Sequence, residues 1–188
     1  MRIISGNFKG KKILLPKDKL TRPLKDLTKE SIFNILKHSK LLNIELESSN
    51  VLDLFSGVGS FGLECLSRGA RNVTFLESYA DVLNILKKNI NNISQQNQTK
   101  VIEKDIFSEN TLKLLNDKFD IIFMDPPYKE KKLTFLLNAI TKLELLNTDG
   151  VIIIHRHKKE KENLPKVFNL IVEKNYGISK IIFGNVLT

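Results

Sequence analysis

The sequence predicts an α/β fold: an open, mostly parallel sheet ending in an antiparallel strand pair, with a small N-terminal hairpin and helix in front of it. Three observations predict it. From Val51 onward, short apolar runs alternate with helix-period patterns, as in successive βαβ units. The last two strand-like runs are joined by Asn175-Tyr176-Gly177, too short a link for a crossover helix, so they pair antiparallel. The length, 188 residues, is that of one domain or one domain with an extension.

The elements follow in order. Ile3-Ile4, the turn residues Gly6, Asn7 and Gly10, and Ile13-Leu14-Leu15 before Pro16 read as a hairpin. Leu27 to Lys37 carries Leu27, Ile32, Phe33 and Leu36 on one helical stripe, with Asp26 as its N-cap. Residues 1–45 thus form an extension, and 46–188 the main domain. Its parallel strands are expected at Val51 to Phe55, Asn72 to Glu77, Lys100 to Glu103, Phe119 to Met124 and Val151 to Ile154. Helices are expected at Ser60 to Arg68, Tyr79 to Asn91, Asn110 to Asn116 and Lys132 to Leu143, and the polar run from Asn89 to Lys100 is a helix end with its loop. Val167 to Lys174 and Ile178 to Phe183 make the final pair.

Composition narrows the function classes. Cys65 is the only cysteine, which excludes an internal disulfide and a zinc site built on several thiolates, and fits a reducing, cytoplasmic setting. Lysines break up the N-terminus before a signal peptide can form, and no run reaches a membrane-spanning length. A formal charge of +9 attracts polyanions, making nucleic acid the first candidate partner, although lysine-rich solvated faces have the same composition.

Ligands of such a sheet bind beyond the carboxyl ends of its strands, so the loops there carry the candidate chemistry. The first strand runs into Asp53-Leu54-Phe55-Ser56-Gly57-Val58-Gly59-Ser60-Phe61-Gly62, which contains G-x-G-x-x-G. The pattern serves either a tight strand-to-helix turn or a nucleotide cofactor held against a helix N-terminus. Asp53 disfavours a pyrophosphate and suits a ligand with a cationic portion, such as the methionine end of S-adenosylmethionine. Glu77 stands 20 residues after Gly57, where a carboxylate accepts hydrogen bonds from ribose hydroxyls. Asp105 is either an acceptor for an adenine amino group or a helix N-cap, and Phe107 is placed to face the ring.

The fourth strand ends in Asp125-Pro126-Pro127-Tyr128. The prolines hold the backbone extended and expose rigid carbonyl acceptors. Asp125 adds a carboxylate, so an –NH₂ group can be held between them, while Tyr128 offers a face for a stacked base. A plain proline turn with Tyr128 covering the core is the alternative.

These two motifs resemble the S-adenosylmethionine-dependent amino-methyltransferases. Arg2 to Gly10, Thr21-Arg22-Pro23 with Asp26 and Glu30, Ser31 to Asn34, Leu63 to Ala70 and Tyr176-Gly177 are similar to the bacterial 16S rRNA guanine-N2 methyltransferases of the RsmD family. The resemblance implies the seven-stranded Rossmann-like methyltransferase sheet, S-adenosyl-L-methionine as cofactor, no metal, and a monomer whose partner is 16S rRNA in the small ribosomal subunit. It implies Asp125, Pro126, Pro127 and Tyr128 as the catalytic set. The cofactor would meet Asp53, Phe55, Gly57, Gly59, Gly62, Glu77, Asp105 and Phe107. His155-Arg156-His157 departs from the glutamate that family members commonly carry after the fifth strand. With Lys158 and Lys159 it reads as a basic loop, solvated or touching RNA phosphate. Lys9, Lys11, Lys12, Arg22, Lys25 and Arg156 are the candidate RNA contacts, with a structural role for Arg22-Pro23 as the alternative. The competing functions are an amino-methyltransferase acting on adenine or cytosine of DNA or another RNA, and a non-catalytic RNA-binding module.

Overall fold

The computed structural model describes residues 1–17, 24–108, 110–127 and 130–187. Its elements are α1 (Asp26–His38), β1 (Asn50–Leu54), α2 (Ser60–Ser67), β2 (Asn72–Glu77), α3 (Ala80–Asn92), β3 (Thr99–Glu103), β4 (Phe119–Met124), α4 (Leu133–Lys142), β5 (Leu146–His157), β6 (Phe168–Tyr176) and β7 (Ser179–Val186). The seven strands form one sheet in the order β3-β2-β1-β4-β5-β7-β6. The first five are parallel; β7 pairs antiparallel with β5 and β6 with β7. The chain steps outward from β1 through β2 to β3 and then returns to the other side of β1, so the crevice between β1 and β4 is the topological switch point.

The central strands are apolar on both faces because helices cover both. Val51, Ile121, Phe123, Ile153 and Phe183 share one core with α1, α2 and α3; Leu52, Ile122, Met124, Ile152 and Ile154 share the other with Leu136, Leu137 and Ile140 of α4. An aromatic column joins the layers on the first face: Phe33 of α1 stacks on Phe61 of α2 at 5.3 Å, and Phe61 on Phe123 of β4 at 4.1 Å. It reaches the sheet directly below the switch point. Among the described residues, no helix is long and apolar enough to cross a membrane.

The N-terminal hairpin is reduced to a single antiparallel bridge, Arg2 to Lys12. A buried ionic group fastens it to the helices. Glu64 of α2 accepts the N–H groups of Ile4 and Ser5 at 2.8 and 2.9 Å, and lies 3.4 Å from Lys29 Nζ, which donates to the Arg2 carbonyl at 2.9 Å. Burial pushes the Lys29 ammonium below its ordinary value, against the attraction of Glu64 and Asp26. Ile3, Ile13 and Leu24 lie in the same core as α2 and α3.

Three expectations need correction. Asp26 is the first residue of α1 and makes no cap hydrogen bond; Lys25 holds the N-cap position. The segment from Asn110 to Asn116 contains only the single 3₁₀ turn Leu112–Leu114, too short to bury a helical stripe. Strand β5 does not stop at Ile154: pairing with β7 carries it through His155, Arg156 and His157, so these are strand residues and not a basic loop.

Candidate functional site

A cavity of ≈ 340 Å³ opens at the switch point, beyond the carboxyl ends of β1, β2, β4 and β5. Asp53, Phe55, Gly57, Glu77, Asp125, Pro126 and Pro127, all singled out in the sequence, line it together. Phe55 leaves β1 with φ +59, a left-handed conformation costly for a bulky residue, and so turns the chain sharply at the cavity rim.

The three motif glycines divide by role. Gly57 lines the cavity with φ +54 and donates its N–H to Glu77 at 2.8 Å. Gly59 and Gly62 face the core instead. A Cβ on Gly59 would stand 2.5 Å from Leu86, and one on Gly62 would stand 2.3 Å from the Phe75 ring. Their absent side chains let α2 close onto the sheet, so the structure gives them a packing place and not a cofactor-lining one.

Asp53 is 1% exposed and accepts the Gly62 N–H at 3.0 Å. Burial pushes its carboxyl well above the ordinary value, the Gly62 hydrogen bond opposes the shift, and the nearby Asp125 and Glu77 carboxylates add to it. Three acidic groups around one cavity favour a cationic ligand. Glu77 is braced from both sides: one oxygen accepts from Gly57, the other from the N–H groups of Ser78 and Tyr79 at 2.8 and 2.9 Å. Ser56 and Ser60 also line the cavity, and their buried hydroxyls have no partner among the described residues. Nothing in the sequence distinguished them from turn serines. Orphaned buried hydroxyls beside a carboxylate cluster fit a ligand that is both polar and cationic, as S-adenosylmethionine is.

Across the cavity, the Asp125 N–H reaches the Leu54 carbonyl at 3.4 Å, tying the ends of β4 and β1. Asp125 Oδ1 lies 2.8 Å from His155 Nδ1, whose other ring nitrogen, Nε2, lies 2.9 Å from Ser179 Oγ. His155 also lines the cavity. The sequence marked it only as a departure from a family pattern.

Arg156 corrects another expectation. Its side chain is 2% exposed and so is not presented to solvent. The guanidinium donates to the carbonyls of Pro127 and Glu130, both at 2.9 Å, and pairs with Glu162. It thereby clamps the loop after Asp125 at two points. Tyr128 and Arg22 lie outside the described residues.

Asp105 and Phe107 do not line the cavity. Asp105 is exposed and accepts the N–H of Phe107 at 2.9 Å, closing the loop after β3. Phe107 bridges Phe55 and Phe135 at 5.9 and 6.4 Å, with Lys132 Nζ 4.7 Å from its ring. Lys9, Lys11, Lys12 and Lys25 are exposed. The Lys11 ammonium is already engaged, donating to the Asn92 carbonyl at the end of α3 at 3.0 Å. Lys25 adjoins Leu24, a cavity residue. His157 is half-buried and accepts the Lys159 N–H at 3.2 Å. Among the described residues, no group of three or more His, Cys, Asp or Glu side chains is arranged to hold a metal.

Comparison with known proteins gives three findings. A family model described as "Conserved hypothetical protein 95" matches residues 1–185. YlbH of Bacillus subtilis, provisionally named an rRNA methyltransferase, is 33% identical over 186 residues, covering 96% of each chain. "Ribosomal RNA small subunit methyltransferase D" of Haemophilus influenzae is 30% identical over 183 residues, covering 95% of this chain and 90% of its own. Among solved structures, yhhF of Escherichia coli superimposes with a TM-score of 0.81 at 24% identity, covering 100% of this chain and 98% of its own, a likeness of fold.

Proposed function

The chain belongs to the Conserved hypothetical protein 95 family, and from that premise we propose that it transfers a methyl group from S-adenosylmethionine to the exocyclic N2 amine of a guanine in 16S rRNA of the small ribosomal subunit. The coarser part, a methyltransferase of the S-adenosylmethionine-dependent class, follows from the two relatives together with the fold. Transfer to an amine is supported by one observation, that the cavity at the switch point joins a cation-favouring half (Asp53, Glu77) to an amine-accepting half (Asp125, Pro126); the choice of a guanine in 16S rRNA is supported by the similarity to the small-subunit rRNA methyltransferase of Haemophilus influenzae.

Asp53, Glu77 and the unpartnered hydroxyls of Ser56 and Ser60 would hold the cofactor. When bound, S-adenosylmethionine supplies a methyl group on a positively charged sulfur, already activated for transfer. The protein's task is placement, and orientation of two reactants replaces a concentration factor on the order of 10⁵ M or more. Asp125 and the Pro126 carbonyl accept the two amine protons of guanine, draw the nitrogen toward a pyramidal shape, and free its lone pair from conjugation with the ring. With the amine so held by Asp125 and Pro126, its nitrogen lone pair would take the methyl group from the cofactor, the S–C electron pair leaving with sulfur. The proton then lost from nitrogen passes to Asp125 or to water. Residues 1–45, with Lys9, Lys12 and Lys25 exposed, extend the surface that holds RNA phosphate.

The test is transfer of labelled methyl to unmodified small subunits, naked rRNA and duplex DNA. Label in small subunits that is lost with Asp125→Ala is the expected result. Label in duplex DNA alone contradicts the RNA assignment. RNA binding without transfer to any of the three favours the binding-module alternative.

A further inference from the structure

Two side chains, His155 and Ser179, stand in line behind Asp125. His155 and Asp125 stand side by side because β4 and β5 are parallel with Met124 opposite Ile154, so the next residues on each strand face each other at the sheet's edge. His155 alternates with Ile153 onto the face that carries Asp53 and Phe123. Its ring is 8% exposed and both nitrogens are engaged, Nδ1 by Asp125 Oδ1 and Nε2 by Ser179 Oγ. Ser179, at the start of β7, is itself buried.

The partners decide the hydrogen positions. An ionised carboxylate only accepts, so a neutral ring facing it carries its proton on Nδ1. Nε2 is then bare, and the Ser179 hydroxyl donates to it. The carboxylate selects the tautomer, and the serine hydroxyl, able to donate or accept, turns to donate to Nε2. This order differs from a nucleophilic Ser-His-Asp set, because here the carboxylate faces the cavity and the serine is buried.

We propose that His155 is a positioning residue for amine methylation: by occupying Oδ1 of Asp125 it fixes the carboxylate's rotation and leaves Oδ2 as the acceptor aimed at the substrate amine. The inference rests on the reading that Asp125 holds that amine. A carboxylate torsion is soft and roughly two-fold, so an Asp125 without this contact rotates freely between the amine, water and the Leu54 edge. Misplacement of a reacting group by about 1 Å costs on the order of 10²-fold in rate. The expected signature is a loss in kcat with little change in cofactor affinity, since His155 acts through Asp125.

Two conservative variants separate positioning from a merely structural tie. Asparagine places an N–H near the position of Nδ1, whereas glutamine places its amide near Nε2. With small subunits as substrate, His155→Asn is expected to keep kcat within about 3-fold of wild type, and His155→Gln to lose about 10²-fold at unchanged cofactor Kd. Equal activity of His155→Gln and wild type overturns the proposal, as does an equal loss in both variants. The tautomer is read independently of turnover. In ¹⁵N-histidine NMR of the wild-type protein, with the His155 signals assigned by their absence in His155→Gln, Nδ1 is expected to be protonated and Nε2 bare. Ser179→Ala is expected to keep the Nδ1–H tautomer, because the Asp125 carboxylate still faces Nδ1. An Nε2–H tautomer in wild type overturns the proposal even where a variant fails to fold. If wild type transfers no methyl to any substrate while the Nδ1–H tautomer is present, the functional reading has failed and the hydrogen-bond assignment has not.

Discussion

Replacing Arg156 by alanine removes the side chain that ties the loop after Asp125 to strand β5. The guanidinium is 2% exposed and its partner Glu162 is 10% exposed, so the pair is shielded from water and salt screening is weak. Removing one member of a buried pair leaves the other charge uncompensated, at a cost of about 3–5 kcal/mol. The hydrogen bonds to the Pro127 and Glu130 carbonyls go as well, but they are coupled to the same group and are not added separately. For a chain of this size, each 1 kcal/mol moves the midpoint by roughly 2–4 °C, so a fall of about 6–20 °C is expected. Urea unfolding at unchanged m, alongside a thermal scan, measures it. Arg156→Lys tests the planar fork: a single ammonium can keep Glu162 paired but cannot serve both carbonyls, so it should recover stability and still lose methyl transfer. A loss below about 1 kcal/mol for Arg156→Ala would refute the buried-clamp account and return Arg156 to the solvated or RNA-contacting role that its sequence neighbours suggest.

Asp53→Asn separates stability from binding. The folded protein holds the Asp53 proton more tightly than the unfolded chain does, so this group favours folding fully below its ordinary value of 3.8, and the benefit is lost as pH rises toward the raised folded value. An amide cannot ionise and can still accept from Gly62, so the variant should melt higher than wild type at pH 7, show no such gain in acid, and bind S-adenosylmethionine at least about 10-fold more weakly because a cation has lost its carboxylate; equal melting at pH 7 contradicts this. Gly62→Ala forces a methyl group to within 2.3 Å of the Phe75 ring and should cost about 1–3 kcal/mol in urea unfolding through displacement of α2, while Gly59→Ala adds a left-handed backbone to a comparable clash. Lys12→Ala and Lys25→Ala should each lower the salt slope of RNA binding by about 1 and leave kcat at saturating RNA unchanged; an unaltered slope removes them from the interface.

The central strands were legible because burial on both faces writes itself as a short segment dominated by apolar and β-branched residues: Asn72–Glu77 and Phe119–Met124 have the same bounds in sequence and structure. The end of β5 was not, because His155 and Arg156 are satisfied by partners outside their own strand, Asp125 and Ser179 for one, the nearby Glu162 and two loop carbonyls far back in the chain for the other. Polar residues satisfied by long-range partners look like loop residues when read locally. The cavity's acidic lining was legible from Asp53, Glu77 and Asp125, each at or just past a strand end. The division among the glycines was not, since only the folded structure shows that Gly59 and Gly62 face Leu86 and Phe75. Asp105 and Phe107 follow a strand as cavity residues would, but the Asp105 side chain closes the loop, and Phe107 packs between the cavity residue Phe55 and Phe135.

If the Asp125 pocket takes a guanine amine, the nucleoside that receives the methyl group is a guanosine. Small subunits lacking the modification, incubated with the protein and methyl-labelled S-adenosylmethionine, are digested to nucleosides and separated by chromatography with mass detection. The expected result is label in N2-methylguanosine, present with wild type and absent with Asp125→Ala. Label in N6-methyladenosine or in a methylated cytidine would contradict the claim.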